Sequence, residues 1–256
     1  MGAPPEVVVH RDPMLLARAV AARLLTRLVD VQAARGSASI VLTGGGIGTA
    51  TLEALRESPA VNAIEWDRLD VWWGDERFVP ADDDQRNERQ ARQALLDHVP
   101  VDPDRIFPIG ASDGPDAEPE GAAERYAELL RSRTTPEDHG PVPSFDVLLL
   151  GLGEEGHVAS VFPESPAVYD TRPVVGVHGC PKPPSLRVSL TLPSIRAARE
   201  VWVIVAGESK AEAAQMALSG AGEVQVPAAG AVGRSRTIWL LDEAAASRLP
   251  KNLPRI

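Results

Sequence analysis

An α/β fold built on a largely parallel sheet is what this sequence predicts, and three observations predict it. Short, continuous apolar runs such as "SIVL", "FDVLLL" and "VWVIV" read as strands buried on both faces, as parallel strands are. Segments with apolar residues at helical spacing alternate with these runs, which implies helices layered on the sheet. Several of the runs end in glycine-bearing turns, at the strand edge where open α/β sheets bind ligands.

The elements follow in order. "DPMLLARAVAARLLTRLVDVQAAR" places Val20, Leu24, Leu28 and Val31 at helical spacing with a proline near its start, so it predicts an amphipathic helix of four or more turns. "SIVLTGGGIGTATLEAL" gives a strand, a glycine turn and a second helix. "LDVWWGDERFVP" is a strand running into a loop, and "NERQARQALLDHV" a helix. Residues 101–144 are richer in proline and acid, with one helix at "EGAAERYAELLRSR" and a short strand candidate, "RIFPI". This stretch is expected to be an elaborated loop region inside one domain spanning 1–256. "FDVLLL" is a buried strand, and residues His157 to Phe162 after it are expected to start a helix with His157 near its N-terminus. "LRVSLTL" alternates Leu186, Val188, Leu190 and Leu192, which predicts a strand with one exposed face. "VWVIVAG" and "TIWLLD" close the set as buried strands, with "SKAEAAQMALSG" as a helix between them. There is no internal repeat and no low-complexity tract.

Composition excludes several classes. With 44% hydrophobic and 24% charged residues, a chain of 256 can bury a sizeable core. A net charge of -10 argues against a nucleic-acid partner, which calls for a basic surface. The apolar runs fall far short of the roughly 20 residues of a membrane span. The opening "MGAPPEVVVHRDP" lacks the basic and long apolar regions of a secretory signal. A single cysteine, Cys180, excludes an intramolecular disulfide and a cysteine-based zinc site, and reads as a loop residue. A cytoplasmic location is the expectation.

Four turns carry the chemistry. "TGGGIGT", Thr43 to Thr49, lets backbone amides approach a ligand at the positive end of a helix, yet it lacks the lysine of a P-loop and fails G-x-G-x-x-G. "WGDERFVP" brings out Asp75, Glu76 and Arg77 together, either as a surface ion-pair network or with Arg77 forked onto a phosphate. "GLGEEGHVASVFPE" sets His157 just past three glycines and two glutamates. In "GESKAEA", Ser209 and Glu212 have capping-box spacing, and Lys210 in the first helical turn opposes the helix dipole unless an anion sits there. Each turn alone has an ordinary structural explanation. Together they gather a glycine nest, two cations and a histidine, which points to a phosphorylated small molecule with a reactive group near His157.

At these residues the chain resembles the 6-phosphogluconolactonases, within the larger group of sugar-phosphate isomerase and deaminase folds. The resemblance runs from "VLTGGGIGTATLEAL" through "VWWGDERFVPADDDQRNERQARQALL", "FDVLLLGLGEEGHVASVFP" and "PPSLRVSLTLPSI" to "VAGESKAEA" and "IWLLD". It implies a three-layer Rossmann-like sandwich that hydrolyses a phosphorylated sugar lactone with no metal and no cofactor. It also implies His157 as general base assisted by Glu155, Arg77 and Lys210 as phosphate ligands, and Gly44 and Gly45 as a substrate cradle, with Asp75 and Arg187 as further substrate-site residues. Three positions depart from the family pattern: Glu155 stands for the usual aspartate, "GIG" at Gly46 to Gly48 replaces the usual serine after two glycines, and Arg86 replaces the serine before Asn87.

The chemistry asks for little more. A lactone is an activated ester, so a positioned water, a base and donors for the developing oxyanion suffice. No G-x-S-x-G is present, which argues against an acyl-enzyme. Two rivals remain at this stage. Amino-sugar-phosphate deaminases and isomerases resemble the histidine turn but carry a glutamate five residues after the histidine, where this chain has Phe162. Sugar-phosphate-sensing modules of related fold carry a DNA-binding segment, and no helix-turn-helix or basic stretch is seen here.

Overall fold

The computed structural model describes residues 4–138, 140–250 and 253. The chain opens with β1 (Glu6–His10), α1 (Pro13–Arg35), β2 (Ala38–Leu42), α2 (Gly46–Arg56) and β3 (Leu69–Trp73). It continues through β4 (Asp75–Arg77), α3 (Asn87–Ala94), β5 (Ile106–Phe107), α4 (Pro119–Ser132) and β6 (Val147–Gly151). Then come α5 (Pro166–Tyr169), β7 (Val174–Val177), β8 (Arg187–Leu190), α6 (Leu192–Arg196), β9 (Glu200–Val205), α7 (Ala211–Leu218) and β10 (Arg236–Asp242). No helix among the described residues is long and apolar enough to cross a membrane.

Seven strands form one sheet in the order β1-β10-β9-β6-β2-β3-β5, and every neighbouring pair is parallel. The strands alternate their side chains between two covered faces, which is why the runs are continuously apolar. On one face Ile40, Leu42, Leu69 and Val71 meet Leu24 and Leu28 of α1 and Leu52 and Leu55 of α2. On the other, Trp72 stacks on Phe107 at 4.1 Å between ring centroids and meets the edge of Tyr126 of α4 at 6.0 Å. The Tyr126 hydroxyl also accepts from the Trp73 N–H and donates to the Trp73 carbonyl, fastening α4 to the end of β3. α1 is set by its cap: Asp12 accepts from the Leu15 N–H at 2.8 Å and Pro13 takes a first-turn position that needs no donor.

A second, three-stranded antiparallel sheet, β4-β8-β7, differs from the sequence reading. β4 was expected as loop. β8 was expected to expose one face, yet all four of its residues are buried. The reason is cover on both sides: α4 packs against β7 and β8, and Ser189 of β8 receives the Ser160 N–H from beyond the histidine turn.

The order of the large sheet fixes the place of the site. From β2 the chain steps outward to β3 and β5, then returns to the opposite side of β2 for β6, β9 and β10. The direction of winding therefore reverses between β2 and β6, and a crevice opens beyond their carboxyl ends. The glycine turn after β2 and the histidine turn after β6 both emerge there, and the Gly151 N–H donates to the Thr43 hydroxyl at 3.3 Å between them.

Candidate functional site

A cleft of about 470 Å³ lies at this reversal point. Of the residues singled out by sequence, Gly44, Gly45, Asp75, Arg77, His157, Arg187 and Lys210 line it. Glu155 stands behind the histidine, with Oε1 3.2 Å from His157 Nδ1 at an angle short of a hydrogen bond.

The histidine turn is not the start of a helix. Left-handed backbone at Gly156 (φ 94°) and Ala159 (φ 49°) breaks any helical run, and the segment closes with a lone bridge between Val158 and Val161. His157 is placed instead by its own turn. The Gly153 N–H donates to the His157 carbonyl at 2.9 Å, and a Cβ on Gly153 would sit 1.9 Å from His157 Nδ1. Only glycine lets the imidazole fold back this closely. Phe162 packs against the ring with centroids 4.3 Å apart. Burial accordingly holds the His157 pKa below its ordinary value, with Glu155 and Asp75 working in the opposite direction. The imidazole is therefore neutral at neutral pH. His157 lines the cleft, and its Nδ1 has no hydrogen-bond partner among the described residues.

The acidic cluster after β3 is not a surface ion-pair network. Asp75 and Glu76 are buried, and among the described residues the only side-chain hydrogen bond made by Arg77 is to the Gln85 carbonyl. Asp75 accepts from the Ser160 hydroxyl at 2.7 Å and from Asn87 Nδ2 at 3.3 Å. Glu76, facing the other way, accepts the Asn87 and Glu88 N–H groups and so caps α3. Asn87 thereby lies against the glycine turn, and a Cβ on Gly44 would fall 1.8 Å from its Oδ1. Both ends of this arrangement need the residue present: glycine on one side, a short amide on the other.

The cations give the cleft its character. Arg77 and Arg187 are directly opposed in the β4–β8 ladder. Like charges in that position repel, and an anion between them removes the penalty. Burial lowers the Arg187 pKa, Asp75 opposes the shift and Arg77 adds to it. Arg187 also holds the preceding segment: Nε donates to the Pro184 carbonyl, and Nη2 to those of Lys182 and Pro183. Lys210 belongs to a single 3-10 turn, Glu208–Lys210, ahead of α7, and reaches Glu154 at 3.5 Å. The capping box expected of Ser209 and Glu212 does not form, because Lys210 itself takes the cap position and no side chain caps α7.

Sequence reasoning missed Lys182 and the placement of Asn87. Lys182 lines the cleft from the proline-rich segment "CPKPPS", which carries no periodicity. The available signal was a lone lysine among prolines just ahead of the strand bearing Arg187.

A parallel α/β sheet whose reversal-point cleft joins one neutral histidine to a ring of cations defines a protein built around a small anionic ligand. The chain belongs to the family of glucosamine-6-phosphate isomerases/6-phosphogluconolactonase, which matches residues 11–239. It is 63% identical over 251 residues to the 6-phosphogluconolactonase of Streptomyces coelicolor, covering 97% of this chain and 96% of that relative. To the 6-phosphogluconolactonase of Mycobacterium tuberculosis it is 49% identical over 246 residues, covering 95% and 98%. Among solved structures, that of 6-phosphogluconolactonase from Trypanosoma brucei superposes with a TM-score of 0.81 at 32% identity, covering 96% of this chain and 99% of that one. A monomeric glucosamine-6-phosphate deaminase, 20% identical with a TM-score of 0.78, shares the fold.

Proposed function

We infer that this chain, acting as one unit over residues 1–256 in the cytoplasm, hydrolyses 6-phospho-D-glucono-1,5-lactone to 6-phospho-D-gluconate, the second step of the oxidative pentose phosphate pathway. One observation carries the reading: a histidine whose pKa burial lowers lines a cleft that also holds Arg77, Lys182, Arg187 and Lys210.

His157 Nε2 takes a proton from water as the oxygen attacks the lactone carbonyl. The tetrahedral intermediate then collapses, the bond from the carbonyl carbon to the ring oxygen breaks, and the imidazolium returns the proton to that oxygen. Glu155, beside Nδ1, favours the imidazolium during the step. Arg77 and Lys210 bind the phosphate, with Arg187 beside Arg77 and Asp75 as a further substrate-site residue. Gly44, whose missing side chain makes room for Asn87, and Gly45, which faces open space, form the substrate cradle at the start of α2. These groups need no metal, so full activity is expected in EDTA. Loss on chelation, restored by one particular metal, would overturn this scheme.

The deaminase alternative meets an obstacle at Phe162. At the position where the resembling deaminases carry a glutamate, an apolar ring packs on His157 and has no proton to move. The test is a paired assay. Acid release from freshly made lactone, above the spontaneous rate, is expected, with no ammonia from glucosamine 6-phosphate. Ammonia release at a comparable rate would reverse the assignment.

A further inference from the structure

The proposed reaction leaves one cation of the cleft without a task and one charge without a partner. The cation is Lys182. The charge is the oxyanion that forms on the lactone carbonyl oxygen when water adds, normally the point at which preorganised donors matter most.

The geometry joins the two through Glu155. Its Oε1 lies 3.2 Å from His157 Nδ1, and its Oε2 accepts from Lys182 Nζ, also at 3.2 Å. One carboxylate thus faces both groups: Oε2 accepts from the ammonium, and Oε1 lies beside the base without hydrogen bonding it. Lys182 also lines the cleft that His157 enters. The other cations are placed differently. Arg77 and Arg187 sit on the small sheet, and Lys210 is tied to Glu154 at the start of α7. Two of the Arg187 donor nitrogens are occupied by the carbonyls of Lys182, Pro183 and Pro184. That occupation has its own consequence: a buried guanidinium fixes the backbone on which Lys182 stands. An ammonium carries three donors, and Glu155 uses one, so Lys182 can meet a second oxygen without releasing the first. Its side chain is 43% exposed, enough to move with the substrate.

We propose that Lys182 is a further catalytic residue, the cation that receives the oxyanion as water adds to the lactone carbonyl, and that Glu155 holds Lys182 and His157 in one frame. The inference rests on the lactonase reading. The step balances: the water oxygen bonds to the carbonyl carbon, its proton passes to His157 Nε2, and the carbonyl π pair moves onto the oxygen facing Lys182. On collapse that pair re-forms the double bond, the ring oxygen leaves with its bonding pair, and His157 protonates it. The carboxylic acid so formed ionises to a carboxylate that Lys182 can still pair with.

The experiment measures Lys182→Met and Lys182→Arg on the phosphorylated lactone and on the same lactone without phosphate, with spontaneous hydrolysis subtracted and circular dichroism confirming the fold. Lys182→Met is expected to lower kcat by about 10² to 10³ on both substrates, the loss typical of one oxyanion donor. The KM for the phosphorylated lactone and the preference for phosphate should change less than about 3-fold, because an interaction made only in the transition state leaves ground-state binding alone. Lys182→Arg should recover part of the rate. The loss should persist on the high-pH plateau, where His157 is neutral in either protein. A rise in KM with loss of phosphate preference would make Lys182 a phosphate ligand and overturn the proposal. So would a change confined to the acid limb, which would mark action through Glu155 alone, or a kcat within about 3-fold of wild type. A wild-type rate no faster than the spontaneous one would instead overturn the lactonase reading itself, before any variant is compared.

Discussion

At the scale of single residues, the site depends on how closely His157 is packed. Burial lowers its pKa below the ordinary value near 6.5, and the base is the neutral form. On acidification the midpoint of the fall in kcat/KM should therefore lie below pH 6.5. Glu155 works to raise that pKa, so Glu155→Gln should move the acid limb to still lower pH while reducing the plateau rate. A limb that moved upward would mean that Glu155 does not face the imidazole in solution. Gly153→Ala tests the packing directly. Its Cβ would overlap the imidazole, so a loss of about 10² or more in kcat is expected, comparable with losing general-base catalysis, with circular dichroism unchanged. Near-wild-type turnover in that variant would refute the placement of the ring. The residues quoted from the four turns were legible because glycine, histidine and cations at strand ends are conspicuous in sequence. Lys182 was not, since its position depends on Arg187 gripping the carbonyls of its segment, a contact that no spacing encodes.

At the scale of elements, the β4–β8 ladder explains why two arginines stand side by side. Arg77→Ala and Arg187→Ala should differ. Arg77 uses one donor on the Gln85 carbonyl and otherwise faces the cleft, so its loss should chiefly raise KM for the phosphorylated lactone and erode the preference over the unphosphorylated one. Arg187 also holds three carbonyls, so its loss should reduce kcat and thermal stability as well. Equal kinetic profiles with equal melting temperatures would contradict this division. The small sheet itself was hard to read from sequence: β4 has three residues and β7 four, too short for periodicity to show. The helix expected at His157 failed for a local reason, because the left-handed residues Gly156 and Ala159 interrupt it on both sides of the histidine's neighbour Val158. By contrast α1 was legible from end to end. Leu24 is fully buried against β2, β3 and α2, and Leu24→Ala should cost about 2 to 5 kcal/mol by urea denaturation, the range for a core leucine.

At the scale of the whole molecule, the fold supplies what neither turn could alone. A parallel sheet that reverses its winding between β2 and β6 opens a crevice at one edge, and the small sheet closes the side of it with two arginines. The alternation of apolar runs and helical segments made six strands of the large sheet legible, because burial on both faces writes itself into composition, whereas β1 at the sheet edge was not read as a strand. The order of its strands was not legible, since no local pattern states which strands are neighbours. The central claim is that this cleft hydrolyses a phosphorylated lactone with His157 as the base. The most direct measurement is the initial rate of acid release from freshly generated 6-phosphogluconolactone in a pH-stat, wild type against His157→Ala, each corrected for spontaneous hydrolysis. Wild type should run well above the spontaneous rate, and the folded alanine variant should fall by about 10² to 10⁴. A wild-type rate indistinguishable from the spontaneous one, or a folded variant as active as wild type, would contradict the account.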